Sequence, residues 1–273
     1  MVDVVNIKPE RDFVVETTMT IEEVRRRYQN DLALTGKAKS YSLEQCHIVV
    51  DLGNNIEGIL PINEISLDEI KNNGYVPAQV KTIMRKPAIR VKVTWMEDGV
   101  IYLSRRENLL DAFRKIEKLG KVFYMSTVEN ITQYNIFFDL GEGLTASCNI
   151  KDLSKMFLDD ARDWVTVGKH IRVRAVKFNH DEKLVWCSVK KAYQENYNIV
   201  QPKKKAIGRL GKCIRDEDGH VTGYFVEITP AICGIVDVSD EHFPSSKPEF
   251  GKYYRFYVRS VDKRKHRVKL FFE

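Results

Sequence analysis

No apolar run reaches the roughly 18–20 residues that a membrane-spanning helix needs, so no such helix is expected. The first ten residues, MVDVVNIKPE, lack a basic start followed by an apolar block, so a secretory leader is not expected. Cysteine is scarce: Cys46, Cys148, Cys187, Cys213 and Cys233 are odd in number, with no C-x-x-C spacing. That argues against a disulfide framework and a structural zinc, and for a reducing, cytoplasmic setting. Most of these cysteines read as small core residues in strands. Catalytic groupings are also missing. No paired carboxylates, no nucleophile beside a base and no metal-spaced cluster stands out. Gly141-Glu-Gly143 lacks the Lys-Ser/Thr and the strand-to-helix setting of a phosphate loop. His180-Asp-Glu182 reads as a solvated hairpin turn. No enzyme, cofactor or metal is expected.

What is present is a phrase written three times. Residues 49–53 read Val-Val-Asp-Leu-Gly, residues 137–141 Phe-Phe-Asp-Leu-Gly, and residues 225–229 Phe-Val-Glu-Ile-Thr. The acidic positions Asp51, Asp139 and Glu227 are separated by 88 residues each time (139 − 51 and 227 − 139). An equal period points to three copies of one module. Each copy has a Gly-base pair upstream: Gly36-Lys37, Gly120-Lys121 and Gly208-Arg209. A short apolar strand, a variable loop and two alternating runs follow. Alternation with β-branched and aromatic residues is a strand signal. Five short strands in about 70 residues suggest a small closed barrel, because closure removes exposed edges.

The three barrels are expected at 32–104, 120–191 and 207–273. Residues 1–31 form an arm and a helix, 105–119 a linker helix and 192–206 a basic linker. Thr20-Ile-Glu-Glu23 and Ser104-Arg-Arg-Glu107 both have the form of a capping box. The second opens a helix with Leu109, Leu110, Phe113 and Ile116 at helical spacing, ending at Gly120. Ser154–Trp164 reads as a short inserted helix. Net charge is only +6, but Lys252–Lys269 holds eight basic residues against one acid, Asp262, with Tyr253, Tyr254, Phe256 and Tyr257 interleaved. In a strand these types separate onto opposite faces, leaving either a solvated outer face or one that tracks phosphates.

These residues resemble the S1 RNA-binding domain, an OB-type barrel, over roughly 32–273. The family pattern runs Gly-x-Val, two aromatics, Val-Asp-Leu-Gly, Gly-Leu-Val-His-Ile-Ser-Glu and a closing Val-Asp-x-x-x-x-Arg-Ile-x-Leu-Ser. The resemblance implies a mainly β chain of three tandem five-stranded OB-fold barrels with short connecting helices. It also implies a binding face made of the two aromatics, the His, and the last Asp and Arg. In the second repeat these positions fall at Tyr134, Phe137 and Asn149, with the last Asp near Asn179 and the Arg replaced by Leu184 beside Lys183. In the third they fall at Thr222, Phe225, Asp237, Asp262 and Arg267, with Tyr224 adjacent and pointing inward. In the first they hold Cys46, Val49, Pro61, Met96 and Val100, so that repeat reads as a scaffold or protein-docking module.

The function implied is non-enzymatic binding of single-stranded RNA by repeats two and three. Exposed aromatics stack unpaired bases and basic residues attract the backbone. Single-stranded DNA, or a protein scaffold of eroded barrels, are the alternatives. The ribosome or RNA-processing proteins are the expected partners, and no membrane is. Tyr134 and Phe137 lie three apart and do not share a face in a regular strand. The resemblance implies a turn before the second that brings both to the surface.

Overall fold

The computed structural model describes residues 4–70, 75–193 and 197–273. Residues 1–3 of the expected arm and 194–196 of the expected basic linker lie outside them. The chain is mainly β, with three sheets, two of them closed five-stranded barrels. By internal contacts it divides into two compact units: Met1–Thr127 with Asp139–Ala146 and Lys177–Trp186, and Val128–Phe138 with Ser147–Val176 and Cys187–Glu273. Among the described residues no helix is long and apolar enough to cross a membrane.

The chain starts with strand β1 (Val4–Asn6) and helix α1 (Ile21–Gln29). The Thr20 hydroxyl accepts a hydrogen bond from the Glu23 N–H at 3.2 Å, which satisfies one of the helix's orphan donors. Then come β2 (Leu34–Ser42), β3 (His47–Gly53), β4 (Ile56–Pro61), α2 (Ala78–Arg85), β5 (Ile89–Glu97) and β6 (Val100–Ser104). They close the first barrel in the order β2-β3-β4-β6-β5. Its core holds Leu34, Ile48, Leu52, Leu60, Ile89 and Leu103, all fully buried, with Met19 and Val24 packed in from the arm and α1. Gly58 is glycine because β4 and β6 approach closely: a Cβ there would lie 2.6 Å from Leu103 Cδ1. Gly234 repeats the device in the third barrel, 2.8 Å from Leu270 Cδ1.

Helix α3 (Arg105–Leu119) follows, its Ser104 hydroxyl accepting from the Glu107 N–H at 2.9 Å. Leu109, Phe113 and Ile116 turn inward and are buried. Gly120 ends the helix with φ 77° and does not enter a strand, so the upstream glycine of the second repeat serves as a helix stop.

The middle sheet contains β7 (Phe123–Ile131), β8 (Asn135–Asp139), β9 (Thr145–Asn149), β10 (His170–Asn179) and β11 (Leu184–Ser188). Its order is β1-β7-β10-β11-β9-β8, and a further β7–β8 pairing makes a ring. The arm adds β1 in parallel, Val4 opposite Phe123 and Asn6 opposite Met125.

The third barrel has the order β12-β13-β14-β16-β15, from β12 (Lys205–Arg215), β13 (Val221–Thr229), β14 (Ile232–Asp237), β15 (Tyr253–Asp262) and β16 (Arg267–Phe272). Leu210, Val226, Ile232, Val236 and Phe256 are fully buried in it. Tyr197 and Val200, from the stretch read as a linker, are buried in the same core.

The expected inserted helix at 154–164 is not an α-helix. It is an irregular segment with one 3-10 turn at Ala161–Asp163. Its polar groups find partners outside a helix instead. The Ser154 hydroxyl donates to Glu227, the Lys155 N–H to the Pro230 carbonyl (2.8 Å), and the Trp164 indole N–H to Glu227 (3.1 Å). Within the second unit, this segment is thereby clasped to the third barrel.

Candidate nucleic-acid interface

The three acids of the repeated phrase are structural. The Asp51 carboxylate accepts from the Gly53 N–H at 2.8 Å, and Asp139 accepts from Gly141 N–H (2.7 Å) and Gly143 N–H (3.2 Å). Each holds its own strand-end loop. Glu227, one methylene longer, leaves that task and clasps Ser154 and Trp164. Burial pushes its carboxyl above the usual range, against the pull of Ser154, Trp164 and Arg209.

A further buried acid was not legible in the sequence. Glu10 lies in the first unit, fully buried. Its carboxylate accepts from Arg105 Nε (2.8 Å) and Nη2 (2.7 Å), from Lys86 Nζ (2.7 Å) and from the Arg90 N–H (3.0 Å). Its own N–H donates to Asp139 Oδ2 at 2.7 Å. Burial raises the carboxyl, but Arg105 and then Lys86 outweigh it and bring it down to about 2.

In the second repeat, Tyr134 precedes β8 in a tight turn. Thr132 N–H donates to the Asn135 carbonyl at 2.8 Å, and the Tyr134 carbonyl accepts from Ile150 N–H at 2.8 Å. Tyr134 is 56% exposed there, outside the strand's alternation. Phe137 points outward within β8 and is half-buried. Asn149 donates to Asn135 Oδ1 (3.4 Å) and accepts from Lys151 N–H (3.1 Å). Tyr134, Phe137 and Asn149 belong to the second unit. Lys183 belongs to the first, at a hairpin turn with φ 51°, its Nζ 5.7 Å from the Phe113 ring centre.

In the third barrel, Phe225 is half-buried on the outer side of β13. Across the strands it meets Ile235, then Lys269, then Ser260. This outward row joins an aromatic, an aliphatic and an exposed base. Tyr224 points inward and stacks on Phe243 at 5.9 Å. Asp237 is exposed at the end of β14, opposite Gly223. Asp262 and Arg267 face each other at the end of the β15–β16 ladder, both exposed. The Asp262 carboxylate accepts from Arg264 N–H and Lys265 N–H, each at 3.0 Å, so it orders the basic turn. Part of the basic run is neutralised locally: Arg259 pairs with Asp240, and Lys252 with Glu249. Asp216, Asp218 and His220 gather, all exposed, in the β12–β13 turn, where Asp216 accepts from the His220 N–H.

The first barrel has an outward row of its own: Val49, Ile59, Tyr102 and Trp95. Trp95 is 48% exposed, its ring 5.1 Å from that of Tyr102. Trp186 occupies the same place in β11 as Tyr102 in β6, the third residue of the strand, and is also exposed. Sequence reasoning missed these aromatics. The alternation of the closing strands was the available signal.

No family model matches the chain. Among curated proteins, it is 26% identical over 271 residues to small ribosomal subunit protein bS1 of Staphylococcus haemolyticus (strain JCSC1435), covering 94% of this chain and 65% of that protein. The chain is similar to ribosomal protein S1. The likeness extends to the Rhodopseudomonas palustris protein of the same name, 23% identical over 232 residues, covering 81% of this chain and 40% of that one. The chain thus spans less than two thirds of the length of these S1 relatives. Among solved structures, a multidomain protein with nucleic acid binding domains from Streptococcus pneumoniae TIGR4 aligns with 89% of this chain and 73% of its own. That alignment has 11% identity and a TM-score of 0.30, a degree of likeness that carries no weight here.

Proposed function

We propose that the chain binds single-stranded RNA, without catalysis, through S1-like repeats at 120–191 and 207–273. The observation that carries this reading is the outward row Phe225–Ile235–Lys269 on the third barrel. An aromatic can stack a base whatever its identity, and a base nearby in the row attracts the phosphate that follows. Tyr134 and Phe137 supply a second aromatic pair, with the Asn149 amide beside the turn. Linkage makes the second contact intramolecular, so two weak sites gain avidity. The similarity to ribosomal protein S1 along 94% of the chain supports RNA over DNA and a cytoplasmic, ribosome-associated setting. The first repeat is read as a docking module, since its outward row is apolar and aromatic with no base in it.

The test is fluorescence anisotropy of a labelled mixed-sequence single-stranded RNA at low and moderate salt, with single-stranded DNA beside it. Each lost stacking contact costs roughly 1–3 kcal/mol. A folded Tyr134→Ala/Phe137→Ala/Phe225→Ala variant is therefore expected to lose at least about a hundredfold. Absence of wild-type binding at micromolar protein refutes the proposal.

A further inference from the structure

Within the second unit, a cleft of about 570 Å³ opens between the clasped segment and the third barrel. That volume lies in the roughly 300–1,000 Å³ range of small-molecule sites. Arg209 (4% exposed) and Glu227 (6% exposed) are buried in its lining. Arg209 donates to the carbonyls of Gly251 (3.2 Å), Trp164 (3.4 Å) and Asp163. Its charge is thus held by backbone dipoles. Glu227, the neighbouring acid, has its oxygens committed to Ser154 and Trp164. Tyr193 lines the cleft, with the Arg172 guanidinium 4.7 Å from its ring centre. At the rim stand Tyr253, 70% exposed, and Lys169, also exposed. The Thr229 hydroxyl, in the lining, is buried and has no partner among the described residues.

These groups call for a particular chemistry. An apolar ligand would leave the orphan Thr229 hydroxyl unanswered, which is costly, and the exposed Lys169 unused. A simple anion would leave the aromatic rings unused. A planar base with a sugar and a phosphate uses all three kinds of group. We propose that this cleft binds one nucleotide, its base against Tyr253, a sugar or base oxygen or nitrogen at the Thr229 hydroxyl, and its phosphate towards Lys169. The inference deepens the RNA-binding reading: the nucleotide is a unit of the bound strand, and the cleft is a contact apart from the open barrel faces.

The experiment uses the full chain and two probes, single-stranded RNA carrying 2-aminopurine, and free AMP followed by calorimetry. The variants are Tyr253→Ala and Thr229→Val, the first an exposed ring and the second a near-isostere. Circular dichroism checks their folding. The expected result is quenched 2-aminopurine in the wild type, an affinity loss of about tenfold in Tyr253→Ala and about threefold in Thr229→Val, and millimolar AMP binding with the same sensitivity. RNA binding unchanged in both variants overturns the cleft site while the barrel-face reading stands. AMP binding that the variants weaken, with no RNA binding by the wild type, refutes the RNA reading and leaves the cleft as a site for free nucleotide. No binding of either probe overturns both.

Discussion

Replacing Glu10 by Gln should be among the most damaging conservative changes in the first unit. The carboxylate is fully buried and bound by Arg105, Lys86 and the Arg90 N–H. An amide in its place turns one acceptor into a donor that faces donors, and leaves a buried guanidinium without its counter-charge. Removing one partner of a buried pair costs roughly 3–5 kcal/mol. The titration leads to a similar figure. A carboxyl brought from 4.5 to about 2 gains roughly 3 kcal/mol, at about 1.4 kcal/mol per pH unit. Urea unfolding followed by tryptophan fluorescence is the assay, since Trp95 and Trp186 report on the first unit. With a slope of roughly 1–3 kcal/mol/M, its midpoint at pH 7 should fall by at least about 1 M. The folded value lies below the ordinary one. The wild-type contribution is therefore present above pH 4.5 and lost as pH falls toward about 2. The gap between wild type and variant should accordingly shrink at pH 3. A midpoint shift under about 0.3 M at pH 7, or a gap independent of pH, refutes the reasoning.

Three further outcomes are expected. Gly58→Ala and Gly234→Ala each force a methyl against a core leucine, at 2.6 and 2.8 Å, and should cost roughly 1–3 kcal/mol in denaturant melts. Unchanged midpoints would show that the strands can part. Burial raises the Glu227 carboxyl, so this group's contribution to stability is greatest below the ordinary glutamate value and falls as pH rises through the raised folded one. Glu227→Gln should flatten that decline in thermal melts of the second unit, and an unflattened decline counts against the clasp. Cys148 and Cys187 are buried, and burial pushes the Cys187 thiol far up. With a thiol reagent they should label only on unfolding, after Cys46 and Cys213; early labelling of either would mean local opening.

The barrels were legible because closing strands alternate: Ile89–Glu97 with Val100–Ser104, and Tyr253–Asp262 with Arg267–Phe272. Two of the helix starts, those of α1 and α3, were legible too, since Thr20 and Ser104 act through neighbours three residues on, whereas α2 begins after Pro77 with no side-chain cap to read. The Asp51, Asp139 and Glu227 period was visible, but not the change of task at Glu227, whose partners lie 63 and 73 residues away. Glu10 was invisible for the same reason, with Arg105 95 residues off. The segment 154–164 misled because Ser154, Lys155 and Trp164 bond to the third barrel. Tyr134 and Phe137 were recognisable as a pair from the family pattern, and the Thr132–Asn135 turn explains how Tyr134 stays outside the strand.

The parallel strand at Val4–Asn6 has a consequence for synthesis. It emerges from the ribosome long before Phe123–Met125, its partner, and Glu10 precedes Asp139 by 129 residues. At roughly 5–20 residues per second, that segment waits on the order of 10 s. The core of the first barrel can close once Ser104 has been made, but the arm strand before it stays unpaired until the following module is translated. During that interval a growing chain exposes an unmatched strand and a Glu10 N–H whose acceptor, Asp139, has not yet been made, a window in which chaperones have something to grasp.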